Sequence, residues 1–223
     1  MGSQLIVKAT DAVDAETVVD YCAGNGGKTL ALATILGSKS TNKCIFAHDV
    51  AILRLKQLLG SLARAQVNEN MIQAVCTSAS YQTLEMKDEN ILPQFPSSFL
   101  ADVVLVDAPC SSIGVLRRRP SQRWMVRKDE IFQTLPQLQK DILEKASKLV
   151  RKGGRLVYST CSIAPSENQE VARTFELGSE WEPWDFDENE WEGYGEQIEK
   201  RNWRIILPNE HCDGFFIARW QRK

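Results

Sequence analysis

Apolar residues along this chain alternate between strand-like runs and helical spacing, and the changes mark successive elements. Residues 16–20, ETVVD, form a short apolar run closed by the glycine-rich turn CAGNGG and predict a buried strand. Residues 28–37, KTLALATILG, then predict a helix stopping at Gly37. The unit repeats: a strand at 43–46 ends in Ala47-His48-Asp49, and 50–65 carries apolar residues at helical spacing. A third strand is predicted at 71–76, whereas 78–99, with Pro93 and Pro96, reads as loop. Residues 102–107, DVVLVD, are apolar up to Asp107, as expected of a parallel strand covered on both faces. Residues 129–150 predict one long helix, kinked or broken at Pro136 and ended by Gly153-Gly154. A strand follows at 155–160, then a helix at 166–177 with Ser166 as cap and Gln169 three residues on. Residues 203–207 and 214–220 close the chain as an antiparallel pair, while 1–15 fit a leading helix or an extended arm. Strand and helix in alternation predict an α/β fold, a doubly wound and mostly parallel sheet with an antiparallel final strand.

The length, 223 residues, suits one such domain, 1–223, better than two. A hydrophobic fraction of 43% and a charged fraction of 25% are ordinary for a globular protein, and no apolar run approaches a membrane span. The opening MGSQLIVKAT lacks the apolar core of a signal peptide, so an intracellular setting without a membrane partner is expected. Six cysteines, at 22, 44, 76, 110, 161 and 212, show no CxxC pair; reduced thiols and no metal site are expected. The net charge of −2 does not point to a nucleic acid by itself. Its distribution is more informative. Arg117, Arg118, Arg119, Arg123, Arg127 and Lys128 crowd one segment, whereas residues 180–199 are acidic and rich in tryptophan. Such a basic run either attracts a polyanion or forms a solvated face.

Chemistry concentrates in two turns. DVVLVDAPCSSIG and LVYSTCSIAPSEN each end an apolar run in a polar turn carrying a cysteine, Cys110 and Cys161. A parallel sheet exposes its chemistry at the carboxyl ends of its strands, so both thiols are expected over one crevice. Buried core thiols are the alternative, against which the polar neighbours Asp107, Ser159, Thr160 and Ser162 argue. The first strand's turn, Gly24, Asn25, Gly26, Gly27, lacks the GxGxxG spacing and is no phosphate-cradling loop. Asp49, at the end of the second strand, suits a ribose diol or a helix cap equally well.

Together, DYCAGNGGKT, FAHDV, DAPCSSIGVLRR, YSTCSIAPSEN and DGFF, spread over residues 20–216, resemble the NSUN (Sun) family of S-adenosylmethionine-dependent RNA cytosine-5 methyltransferases. The paired cysteine turns in this order are the specific part. The resemblance implies a Rossmann-like class I methyltransferase fold and transfer of a methyl group to carbon 5 of cytosine in transfer or ribosomal RNA. It implies Cys161 as the nucleophile that adds to carbon 6, Cys110 as an aid to product release, and Asp107 as the group facing ring nitrogen 3, with Lys28 orienting it. It also implies S-adenosylmethionine held by Cys22, Ala23, Gly24, Asn25, Gly26, Gly27, Lys28, Asp49, Ser78 and Asp107. RNA phosphates would meet Arg117, Arg118, Arg119 and Arg123, and the target cytosine would be single-stranded or flipped.

Two positions depart from the family pattern. Gly24-Asn25 stands where Ala-Pro is usual, and Ser78 stands where an acid near the adenine is usual. A separate RNA-binding region before the catalytic part is not evident, so either the chain is a fragment with that domain missing or a partner serves RNA docking. Two other readings stay open: a non-catalytic RNA-binding or assembly factor with this fold, and a DNA cytosine-5 methyltransferase acting through Cys110.

Overall fold

The structure, a computed structural model, describes residues 2–37, 42–78, 81, 88–176 and 178–223. Its strands are β1 (Thr17–Asp20), β2 (Cys44–His48), β3 (Ile72–Val75), β4 (Ile91–Leu92), β5 (Ala101–Asp107), β6 (Val150–Thr160), β7 (Trp181–Pro183), β8 (Glu196–Ile198), β9 (Lys200–Ile206) and β10 (Phe215–Arg222). They form one sheet in the order β4-β3-β2-β1-β5-β6-β10-β9-β8, with β7 pairing β10 at its end. Pairs from β4 to β6 are parallel, and β10 runs antiparallel to β6, β7 and β9. The expected mostly parallel sheet with antiparallel closing strands is therefore present.

Alternation along β5 builds both faces at once. Val103 and Leu105 join a core with Leu5, Ile6, Val18 and Leu32, beneath α1 (Gly2–Lys8) and α2 (Gly27–Leu36). Val104 and Val106 face the other way, onto Leu143 and Ala146 of α5 (Leu135–Ser147) and Val171 and Ala172 of α6 (Gln169–Phe175). Helix α3 (Ile52–Arg64) buries Leu55, Leu58 and Leu62, a stripe at helical spacing, against Ala47 and Ala74. A short helix, α4 (Gln122–Met125), lies between β5 and α5 and buries none of its residues. Among the described residues, no helix is long and apolar enough to cross a membrane.

The structure corrects several boundaries. The predicted long helix runs without a gap through a π segment, Glu130–Thr134, into α5, and ends at Ser147 instead of 150; the π segment lies just before Pro136, where a kink or break was expected. Gly153 and Gly154 end no helix; they lie inside β6, which starts at Val150. Gly153 has φ +71°, and a Cβ on Gly154 would stand 3.0 Å from Asp102 O. These glycines carry the register irregularity opposite residues 101–103 of β5. Ser166 caps no helix: it lies in the turn Pro165–Glu167 and donates to Ile131 O at 2.8 Å, while α6 begins at Gln169. The stretch read as loop, 78–99, contains β4, paired with β3; its residues 79–80 and 82–87, like the predicted helix end at Leu177, lie outside the described residues.

The tryptophan-rich acidic stretch packs inward. Trp191 is buried edge-on against Phe186 at 4.7 Å, Trp181 packs on Phe175, and the Arg219 guanidinium lies 3.9 Å from the Trp184 ring centre.

Candidate active site

Chain order runs outward from β1 to β4 and then returns to β5 on the other side of β1, so the strand ends part there. A crevice of about 950 Å³ opens at that point. Cys22, Ala23, Gly24, Asn25, Gly27, Lys28, Asp49, Asp107, Cys110, Cys161 and Arg119 line it, from four strand ends and two loops. Gly26 stands behind this wall with φ +89°, and a Cβ there would lie 2.7 Å from Leu58 Cγ; it lets α2 approach α3. Gly24, at φ +55°, faces open space.

Ser78 does not line the crevice, and Thr77 does. The Ser78 hydroxyl accepts from Tyr81 N at 3.3 Å and lies 3.5 Å from Cys76 Sγ. His48, not singled out in the sequence, forms part of the wall. Its Nδ1 is 2.6 Å from Tyr21 O and its Nε2 is 2.8 Å from Thr77 Oγ1. Burial holds this imidazole below its usual pKa despite the Tyr21 carbonyl, so Nδ1–H donates and neutral Nε2 accepts.

Asp49 stands two residues ahead of Ala51, the cap position of α3, and is not itself the helix cap. Its Oδ1 accepts from Ala51 N at 2.8 Å, ahead of α3, and its Oδ2 accepts from Gly24 N at 3.0 Å, fixing the glycine turn. A carboxylate has about four acceptor positions, so about two remain for a diol. Beneath the turn, Asp20 is fully buried; Thr29 donates to its Oδ2 at 2.7 Å, and Oδ1 has no partner among the described residues. Burial pushes the Asp20 carboxyl up to about 6. An orphaned buried anion beside a crevice with a free diol acceptor fits a nucleoside that carries an ammonium group.

The Asp20 strain has a testable consequence. A carboxyl raised from 3.8 to about 6 favours the folded state fully below 3.8, and that contribution is lost as pH rises through about 6. Asp20→Asn is therefore expected to stabilise the ligand-free protein at pH 7, by on the order of 3 kcal/mol at most, and hardly at all at pH 3.5. Urea unfolding at both pH values checks this; an equal change at both would remove Asp20 as the source.

Across the crevice the two thiols meet. Cys110 Sγ and Cys161 Sγ are 3.1 Å apart, and Ser112 Oγ is 3.3 Å from Cys161 Sγ. Ser112 reaches that position from the left-handed region, at φ 59°. The hydrogen bond from Cys110 lowers the Cys161 thiol to about 7 despite burial, with help from Ser112 and the Lys28 charge. The same hydrogen bond, with burial, drives Cys110 well above the usual thiol range. Cys161 is thus the more acidic thiol of the pair. Lys28 Nζ forms an ion pair with Asp107 Oδ2, and Ser159 donates to Asp107 Oδ1 at 2.9 Å. Burial works against the Lys28 ammonium, but the Asp107 charge and hydrogen bond outweigh it and hold the lysine above its usual pKa.

The predicted arginines divide. Arg117 and Arg118 pair with Asp213 of the DGFF motif, at 3.6 and 2.5 Å, which anchors their loop. Gly114 joins the same junction: its N–H donates to Cys161 O at 3.0 Å, and its O accepts from Gly214 N at 2.8 Å. Arg119 reaches the crevice, and Arg123 lies 4.8 Å over the exposed Trp124 ring. Sequence reading missed Glu167 altogether. It is fully buried and accepts hydrogen bonds from Ser111, Gln139 and Ser162.

A family model described as the 16S rRNA methyltransferase RsmB/F matches residues 7–221. A probable ribosomal RNA small subunit methyltransferase B of Synechocystis sp. is 30% identical over 217 residues, 97% of this chain and 45% of the relative. Its counterpart in Bacillus subtilis is 31% identical over 226 residues, 99% of this chain and 46% of the relative. The crystal structure of NSun6 from Pyrococcus horikoshii with SFG superposes with a TM-score of 0.76 at 26% identity, covering 99% of this chain and 51% of that one. The chain spans about half the length of the curated relatives it matches. With its model matched from residue 7 to residue 221, the chain belongs to the RsmB/F family of 16S rRNA methyltransferases.

Proposed function

We propose that this chain transfers a methyl group from S-adenosylmethionine to carbon 5 of a cytosine in RNA through a covalent bond to Cys161. The observation that carries this is one crevice holding two cysteine sulfurs 3.1 Å apart and, beside them, the Lys28–Asp107 ion pair. Residues 22–28 and Asp49 would hold the cofactor, with the ammonium near Asp20 and the ribose hydroxyls on the remaining acceptor positions of Asp49. When bound, S-adenosylmethionine supplies an electrophilic methyl group.

The residues supply the rest. Carbon 5 of cytosine is a poor nucleophile. The Cys161 thiolate adds to carbon 6, the ring electrons shift toward nitrogen 3, and carbon 5 becomes an enamine carbon. The proton that nitrogen 3 needs is carried by Lys28 and passed through, or held by, Asp107. Once Cys161 is bonded to carbon, the neighbouring negative sulfur that kept Cys110 protonated is gone. Cys110 then loses its proton to solvent and takes the proton from methylated carbon 5, Cys161 leaves as thiolate, and nitrogen 3 returns its proton to the Lys28–Asp107 pair. A DNA enzyme attacking through Cys110 fits less well, because the hydrogen bond with Cys161 and burial push the Cys110 thiol up.

Small-subunit ribosomal RNA is the first substrate to try, with a flipped or single-stranded cytosine and a docking partner adding affinity. Incubation with methyl-labelled S-adenosylmethionine and RNA from cells lacking the protein should put label into 5-methylcytidine. Absent cofactor binding would instead favour the non-catalytic assembly-factor reading. Arg119→Ala should weaken RNA binding across sequences and lower the slope of log affinity against log salt by roughly 1. An unchanged slope in a filter-binding titration would take Arg119 out of the RNA path.

A further inference from the structure

We propose that Glu167 is a positioning residue that sets the spacing of the two active-site thiols by holding both cysteine turns on one carboxylate. Each cysteine is followed directly by a serine, Ser111 after Cys110 and Ser162 after Cys161. Both serine hydroxyls donate to Glu167 Oε2, each at 2.5 Å. On Oε1 the carboxylate accepts from Ser111 N at 2.8 Å and from Gln139 Nε2 at 3.0 Å. These donors fill the acceptor positions of the group.

Among the described residues no cation pairs with Glu167, so its burial is compensated by these neutral donors alone. The anchor is itself anchored: Tyr158 donates to Glu167 O at 2.6 Å, and Gln139 also donates to Pro109 O at 3.0 Å, next to Cys110. Two loops 51 residues apart in sequence are thus tied one residue beyond each thiol. The backbone bonds Ala108 N–Ser159 O and Gly114 N–Cys161 O already hold the two turns side by side; the Glu167 tie acts between them, next to the thiols themselves.

An amide at this position offers one acceptor oxygen and obliges both serines to accept, while their hydroxyl protons lose their buried partner. The bonds lengthen, because charge-assisted O–H···O⁻ contacts are shorter than neutral ones. Loss of the whole side chain removes the tie.

Phenylarsine oxide measures the spacing directly. One molecule condenses with two thiols, forming two As–S bonds and releasing one water, and resists competition by a monothiol only when both sulfurs reach the same arsenic. Cys110→Ala and Cys161→Ala define the zero of the scale. Glu167→Ala is expected to weaken capture tenfold or more, and Glu167→Gln, Ser111→Ala and Ser162→Ala severalfold each, with S-adenosylmethionine affinity within twofold of the parent. Wild-type capture in a folded, cofactor-binding Glu167→Ala protein overturns the proposal. Should that variant not fold, wild-type capture in both serine variants overturns it equally.

The catalytic consequence rests on the methyl-transfer reading: kcat should fall with the KM for RNA unchanged, and Glu167→Gln should recover part of what Glu167→Ala loses. A parent protein that methylates no RNA would defeat that reading, while arsenical capture still decides the tie.

Discussion

Cys161→Ala should lose methyl transfer by on the order of ten-thousand-fold or more in kcat, the scale seen when a covalent nucleophile is removed. The cofactor should bind within twofold of the parent, because residues 22–28 and Asp49 sit on other strand ends. Three groups make this sulfur the reactive one: Cys110, Ser112 and Lys28 all favour its thiolate against the burial that opposes it. The parent enzyme's kcat/KM should therefore rise with pH and level off above about 7, on the acid limb set by the thiol pair. Cys161→Ser should not restore activity, since a hydroxyl in the same place stays protonated. RNA carrying 5-fluorocytidine gives a second readout, because fluorine at carbon 5 blocks the final proton loss and leaves the adduct in place. Adduct formation by Cys161→Ala would assign the attack elsewhere.

The sequence carried the positions of these thiols further than it carried their environment. Asp107 and Cys161 were legible because apolar runs end at them, and a parallel strand covered on both faces has few other ways to meet solvent. The glycine turn was legible for the same reason, and Gly26 is required both by its φ and by Leu58 of α3. Gly153-Gly154 misled because a glycine pair after an apolar helix is the usual stop signal; here the pair bends a strand whose register shifts beside it. Glu167 left no local trace. Its partners lie at positions 111, 139 and 162, and only the sheet order brings β5, α5 and β6 together around it. The pairing of Arg117 and Arg118 with Asp213, 95 residues on from Arg118, was not legible, because pattern could not place that carboxylate beside them. Charge runs locate a basic loop; tertiary contacts decide which of its charges already have a partner.

Cys110→Ala should fail in a different way from Cys161→Ala, and the difference is the sharper test of the geometry. The attacking sulfur remains, so the bond to carbon 6 should still form. Removing the Cys110 donor also removes the first cause of the lowered Cys161 pKa, so attack should weaken and its pH midpoint should move upward. The group that would take the carbon-5 proton is gone as well. If release slows more than attack, protein bonded to methylated RNA accumulates and migrates as a stable conjugate in denaturing gels, whereas Cys161→Ala yields none. The double variant should also yield none, because the adduct needs the first sulfur whatever the second does. Because the sulfurs are 3.1 Å apart, a small rescuing base has little room to replace Cys110, so added imidazole should not clear the conjugate. A Cys110→Ala protein that turns over at the parental rate without a conjugate would leave Cys110 only its hydrogen bond to Cys161, and proton removal would pass to another group in the crevice.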